Sequence, residues 1–390
     1  MAIQLAQHAT TLTPSLTLAI DAKAKKLKAE GVDVCGFGAG EPDFDTPQHI
    51  KDAAIKALAE GFTKYTPSSG IPELRTAIAE KLKADNDLDY LPSQIIVNCG
   101  AKHSCYNAIL AICQAGDEVI IPAPYWLSYP EMVKLSDATP VIIPTSEANG
   151  FKLTPEQFRD AMTPRTKLII LNSPNNPTGS MYSRDELRAL AEIALEEDIL
   201  MLSDEIYEKI TYENTEHVSL AALSPEIYDL TITVNGFSKA YAMTGWRLGY
   251  VAAPKAIAAA IDSIQSHSTS NPTSFAQKGA LAALKGDQSF IAEMVRAFAE
   301  RRTYMYDHLT KIPGITCVLP MGAFYMLPNI SSFGLTSTDF CSKLLEQQKV
   351  AAVPGIAFGT DAHMRLSYAC SMENIQKGID RIEAFCASLK

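Results

Sequence analysis

A chain of 390 residues is longer than one hydrophobic core ordinarily serves, so two or more domains are expected. With 47% hydrophobic and 20% charged residues it reads as a globular protein, and its net charge of −10 argues against a nucleic-acid binder, which usually carries a basic face. The eight cysteines include no Cys-x-x-Cys pair and the seven histidines are scattered, so free thiols in a reducing compartment and no metal site are expected.

The first twenty residues, "MAIQLAQHATTLTPSLTLAI", lack a basic stretch followed by an apolar one, so no secretory leader is expected. No apolar run approaches the ~18 residues of a membrane span, and the expected location is the cytoplasm. "GFGAGE" (36–41) resembles a nucleotide-binding turn, but it is G-x-G-x-G, and Pro42 and Pro47 follow in place of a long helix. A close backbone approach to a substrate carboxylate is the better reading.

From residue 95 onward, seven short apolar runs alternate with helical patterns: "QIIVN", "DEVIIPA", "TPVIIPT", "KLIILN", "ILMLS", "LTITVN" and "LGYVAA". Between them lie amphipathic stretches such as "SRDELRALAEIALEED", whose Ser183 and Glu186 have capping-box spacing. Strands apolar on both faces and separated by helices imply a mostly parallel sheet covered on both sides. Sites in such sheets gather at the carboxyl ends of the strands. Polar or aromatic groups follow five of the runs, at Cys99–His103, "PYWLSYP", "SPNNPTG", Asp204–Tyr207 and the Lys239 segment.

Beyond about residue 280 a long helical pattern, "SFIAEMVRAFAERRTYMYDHLTK", precedes three short predicted strands, "GITCVLP", "GAFYMLPN" and "HMRLSYAC". This α+β pattern implies a smaller domain of residues 1–45 plus 281–390, beside a large domain of residues 46–280.

"NGFSKAYAMTGWRLGY" places a lone amine, Lys239, just past a strand end, with Arg247 eight residues on. A carbonyl cofactor with a phosphate tail, pyridoxal phosphate, would use the strand-end groups together. Its aldehyde needs an amine of lowered pKa, which burial and a nearby cation give Lys239. Its ring nitrogen stays protonated beside a buried carboxylate, for which Asp204 fits. Its phosphate suits the helix opening at Gly100-Ala101 and the guanidinium of Arg247, and Trp126 offers a ring face. Each residue alone has a plainer reading. Asp204 would be a cap, "NNPTG" a turn, Trp126 core, Lys239 surface and Arg365 a paired structural arginine. Their joint order favours the cofactor.

The chain resembles the fold-type-I, pyridoxal-phosphate-dependent aminotransferases of class I/II, and within them the bacterial Iβ aspartate aminotransferase subgroup. The resemblance rests on "AGEPDFDTP" (39–47), "KYTPSSGIPELR" (64–75), "GAKHS" (100–104), "PYWLSYPEMV" (124–133), "NSPNNPTG" (172–179), "LSDEIYE" (202–208), "SKAYAMTGWRLGY" (238–250), "GAFY" (322–325) and "RLSYA" (365–369). It implies an α/β fold, a mostly parallel seven-stranded sheet in the large domain with a smaller α+β domain. It also implies ping-pong transfer of the amino group of L-aspartate to 2-oxoglutarate.

By the same resemblance, Lys239 bonds the cofactor aldehyde and moves the substrate proton, and Asp204 pairs with the ring nitrogen. Tyr207 and Asn176 reach the ring oxygen, while Trp126 and Ile206 cover the two ring faces. Ser238, Arg247 and the amides of Gly100, Ala101 and Lys102 hold the phosphate. Tyr65 reaches the phosphate of a neighbouring subunit, so a homodimer is implied. Arg365 grips the α-carboxylate near the backbone of Gly40, and Asn176 touches it too. Lys102, with Ser15 and Thr17, meets the distal carboxylate. Thr13 stands where relatives that use prephenate carry a basic residue, which implies a narrower aspartate enzyme. A dual aspartate/prephenate or broader aromatic aminotransferase is the alternative. A pyridoxal-phosphate lyase and an effector domain of a transcription regulator fit less well, the latter because the resemblance begins near residue 10.

Overall fold

The computed structural model of the protein describes residues 3–389. The seven apolar runs become seven strands: β1 (Ile95–Asn98), β2 (Glu118–Ala123), β3 (Thr139–Pro144), β4 (Thr166–Asn172), β5 (Leu200–Asp204), β6 (Thr231–Gly236) and β7 (Gly249–Ala252). They form one sheet in the order β1-β7-β6-β5-β4-β2-β3. Four neighbouring pairs, β2–β3, β2–β4, β4–β5 and β5–β6, are parallel, and β7 alone runs against both its neighbours.

Side-chain alternation explains the two-faced burial. Leu168 and Ile170 of β4 pack with Val119, Ile121 and Leu202 into one core. Ile169 and Leu171 point the other way, onto Leu187, Leu190 and Ala194 of the helix Arg184–Glu196. That helix begins as its sequence predicts. Ser183 accepts from the Glu186 amide at 3.3 Å, and the Glu186 carboxylate accepts from the Ser183 amide at 2.7 Å. β3 lies at the sheet edge, where Pro140 and Pro144 are tolerated because one row of its backbone amides has no strand to pair with.

Residues from the long helix Ser289–Leu309 to the carboxyl-terminal helix Met372–Ser388 gather around a second core, with Phe298, Phe324, Phe340 and Phe385 at its centre. Cys35 and Phe37 join it, because the strand Cys35–Gly36 pairs in parallel with Val350–Ala351. Ile206, Tyr207, Ile210 and Tyr212, which follow β5, also belong to it. The strand Met364–Ser367 lies between Val353–Pro354 and Tyr325–Met326. One expected strand is absent. "GITCVLP" makes a single bridge, Thr316 to Asn329, in a segment that starts at Gly314 with φ +99° and stops at Pro320. Among the described residues no helix is long and apolar enough to cross a membrane.

Glycines let the sheet edge close up. A Cβ on Gly249 would lie 2.2 Å from the amide nitrogen of Ala101, which is backbone and has no room to move. Gly249→Ala is therefore expected to cost about 1–3 kcal/mol in urea unfolding. Gly245→Ala, with nothing within 4 Å of its Cβ, is expected to change stability by less than about 0.5 kcal/mol.

Candidate active site

The register of the strands brings the site together. Asn172, the last residue of β4, pairs with Asp204, the last of β5. Gly236, ending β6, and Asn98, ending β1, both pair with Gly249 at the start of antiparallel β7. Segments far apart in sequence therefore meet over one edge, around a cleft of about 420 Å3.

Gly100 turns from β1 into the helix Ala101–Ile112 with φ +90°. A Cβ there would meet Nη2 of Arg247 at 2.6 Å, so only glycine lets the guanidinium close on the helix start. Arg247, itself at φ +55°, is held by Nη1 donating to the Thr244 carbonyl at 2.9 Å. Helix amides beside a guanidinium make an anion site. Lys102, in the first turn, lies 4.9 Å over the Trp126 ring, and burial and Arg247 lower its pKa.

Asp204 is buried, and burial raises its pKa. Opposing this, Tyr129 donates its hydroxyl to Oδ2 at 2.7 Å, the Ile206 amide donates to Oδ1 at 3.2 Å, and the Cys105 thiol lies 3.7 Å from Oδ2. Asn172 donates to the Asp204 carbonyl at 2.9 Å and accepts from the Asn176 amide at 2.9 Å, tying the "NNPTG" turn to the end of β5.

Lys239 follows β6, half-buried, and donates from Nζ to the Gly40 carbonyl. The rings of Tyr207 and Phe324 lie 5.7 and 5.8 Å from its Nζ. Burial lowers its pKa to about 8. Glu41 opposes the shift, while Arg365 and Arg247 add to it. Tyr207 shares a 2.8 Å hydrogen bond with Tyr325.

Arg365 is buried. Its Nη1 donates to Asn176 Oδ1 at 3.0 Å and its Nη2 to the Gly38 carbonyl at 2.8 Å, while the rings of Tyr325 and Phe358 lie 4.5 and 5.0 Å away. Its Nε is buried without an acceptor among the described residues. A buried cation with an idle donor suits a carboxylate ligand. The backbone partner of Arg365 is thus Gly38, whereas Gly40 serves Lys239.

Gly40, Ala101, Lys102, Trp126, Asn176, Asp204, Ile206, Tyr207, Ser238, Lys239, Arg247, Arg365 and Thr17 all line the cleft, and Gly100 caps its helix. Ser15 does not line it. Its hydroxyl caps the helix Leu16–Ala29, accepting from the Leu18 amide at 3.4 Å and bonding Thr17 at 3.0 Å. Tyr65 also lies outside the cleft, 90% exposed.

Tyr129, Cys105, Tyr325, Gly38 and Asn172 were not singled out from the sequence. Tyr129 could have been, since it follows Trp126 by three residues, one helical turn. Glu205, Glu208 and His217 come within metal-ligand range of one another. The four carboxylate oxygens already accept from Ser203, Ser219, His217, Asn86 and Lys81.

The groups fit pyridoxal phosphate. The cleft offers an amine of lowered pKa, a buried carboxylate, an anion-binding helix start that a Cβ would fill, and a buried arginine with a spare donor.

The family model for aminotransferases of class I and II matches residues 32–382. An aspartate aminotransferase of Geobacillus stearothermophilus is 53% identical over 98% of this chain and 99% of its own length. An aspartate/prephenate aminotransferase of Nitrosomonas europaea is 48% identical over 97% and 99%. The solved aspartate aminotransferase of Thermus thermophilus with maleate superposes with a TM-score of 0.95 at 44% identity, over 98% of this chain and all of that one.

Tyr129→Phe is expected to raise the Asp204 pKa in cofactor-free protein, read by carboxyl 13C NMR, because the anion loses a hydroxyl donor. An unchanged value would mean that the Tyr129 hydroxyl does not support the anion.

Proposed function

The chain belongs to the class I and II aminotransferase family, and on that premise we propose that it moves the amino group of L-aspartate to 2-oxoglutarate with pyridoxal 5'-phosphate. When bound, that cofactor supplies an aldehyde for the amino group and an electron sink for charge developing at the substrate Cα. In this reading Arg247, Ser238 and the amides of Gly100, Ala101 and Lys102 bind the phosphate. Trp126 and Ile206 hold the ring between them, Tyr207 and Asn176 bond its oxygen, and the Asp204 carboxylate keeps a proton on its nitrogen.

Arg365, with Asn176, binds the substrate α-carboxylate. Lys102, aided by Thr17 and the helix capped by Ser15, receives the distal one. Lys239 Nζ would take the proton from the substrate Cα and hold it for the 1,3 shift that the bound cofactor makes possible. Near pH 8 about half of such amines are free to do so. Two half-reactions through one site give ping-pong kinetics.

The observation that carries the reading is the Lys239 amine, its pKa lowered to about 8 in a cleft that also holds buried Asp204 and Arg365. The full-length relatives named as aspartate aminotransferases support the substrate. We further read residues 46–280 as the large domain and 1–45 plus 281–390 as the small one, in a cytoplasmic homodimer. The 90% exposure of Tyr65, with Ile55 and Leu58 also exposed, supports a partner subunit. Relatives named aspartate/prephenate aminotransferases favour a second reading, dual specificity.

Borohydride treatment of cofactor-loaded protein, followed by peptide mass analysis, is expected to find the cofactor on Lys239. Lys239→Ala should carry none and lose at least about 1,000-fold in transamination. Cofactor trapped on another residue would refute the assignment. With oxaloacetate and prephenate compared as acceptors, the expected result is a faster rate with oxaloacetate. Equal rates would select dual specificity.

A further inference from the structure

Resting on the reading of Arg365 as the α-carboxylate site, we propose that Glu147 is a positioning residue for substrate. Its carboxylate pins the chain that presents Arg365 and so sets substrate affinity.

Glu147 is not among the cleft-lining residues and sits in the short 3-10 turn Glu147–Asn149 after β3. Its carboxylate gathers donors from three separate segments of the carboxyl-terminal part. Oε1 accepts from Nε2 of His363 at 2.8 Å and from the side-chain amide of Asn329, and Oε2 accepts from the Thr316 hydroxyl at 3.2 Å. Burial lowers the His363 pKa, the Glu147 contact opposing. The neutral ring then has one assignment that satisfies both neighbours. Nε2–H donates to Glu147, and Nδ1 accepts from the Thr360 hydroxyl at 2.7 Å. The Phe151 ring closes edge-on over His363 with centroids 5.3 Å apart.

His363 stands two residues before Arg365, where the chain enters the strand Met364–Ser367. Alternate residues of an extended chain share a face, so the face that Glu147 holds is the one that presents the guanidinium. The His363 carbonyl also accepts from the Gly355 amide at 2.8 Å, and the Ala362 carbonyl from the Ile330 amide at 2.8 Å. Both of those contacts lie within the carboxyl-terminal part. Glu147 is the charged group that ties this entry point to the sheet.

Among the described residues Arg365 pairs with no carboxylate. Its two bonded nitrogens meet neutral oxygens, of Asn176 and Gly38. Its aim therefore depends on where its strand sits, and a displacement of about 1 Å in such a group can cost on the order of 100-fold.

The test uses holoenzyme and maleate, a dicarboxylate that carries no amino group to exchange. Its dissociation constant is measured for wild type, Glu147→Ala, Glu147→Gln, Arg365→Lys and Glu147→Ala with Arg365→Lys, beside melting temperature and cofactor affinity. Expected are about tenfold weaker maleate binding in Glu147→Ala and a smaller loss in Glu147→Gln, which keeps an acceptor for His363. Cofactor affinity should stay within about twofold, and Glu147→Ala should add less than about twofold in the Arg365→Lys background.

Maleate affinity in Glu147→Ala within about twofold of wild type, or the same loss in both backgrounds, overturns the proposal and leaves only a structural clasp. Unchanged affinity in Arg365→Lys overturns the assignment of Arg365 as well, and that single variant tells the two failures apart. Should Glu147→Ala not fold, Glu147→Gln in the two backgrounds decides by the same comparison.

Discussion

The cleft depends on one low-polarity environment acting on two opposite groups. Burial makes the charged form costly for both Lys239 and Asp204, and the surroundings then separate their fates. Asp204 receives a hydroxyl, a backbone amide and a weak thiol contact, all of which favour its anion. Lys239 receives one carbonyl, from Gly40, and sits in the field of Arg365 and Arg247. A group meant to act as a base thus has its proton loosened, and a group meant to stay charged keeps its partners. Burial moves both groups from their ordinary values, Asp204 upward and Lys239 downward, and perturbed titratable groups gathered in one cleft are a general mark of functional sites.

Architecture supplies that environment cheaply. Parallel strands end at one edge, and the register sets Asn172 against Asp204 and Gly236 against Gly249 without further machinery. Glycine at 100 leaves room for the guanidinium of Arg247 against the helix start, and glycine at 249 lets that helix start lie against β7. The carboxyl-terminal part then adds the other wall. Tyr325 bonds Tyr207, and Arg365 bonds Asn176, so each contact joins a residue of that part to a turn that follows β4 or β5. The phenol pair and the arginine are thus two of the contacts that couple the second core to the turns lining the cleft.

Much of this was legible in the residues. Seven short apolar runs bounded by turn formers are seven strands, most of them buried on both faces, while the edge strand Thr139–Pro144 is largely open. Looking just past the strand ends found Asp204, Lys239, Arg247, Trp126 and the Gly100 turn. Contacts between distant segments were less accessible. Tyr129 and Cys105 converge on Asp204 from 75 and 99 residues away, and the "GAFY" motif gave no hint that Tyr325 would reach Tyr207. Ser15 was expected in the cleft, yet a hydroxyl just before a helix is more readily taken by the helix amides. "GITCVLP" has strand composition but finds no neighbour beyond one bridge, because β pairing is decided by partners outside the segment.

Lys239 is a free amine in its working range because partial burial and the nearby guanidinium groups of Arg365 and Arg247 lower its pKa to about 8. The most direct measurement is an NMR titration of the Lys239 side chain in cofactor-free protein, assigned by comparison with Lys239→Arg. A midpoint near pH 8 is the predicted result. A midpoint near the ordinary lysine value of about 10.4 would contradict the account.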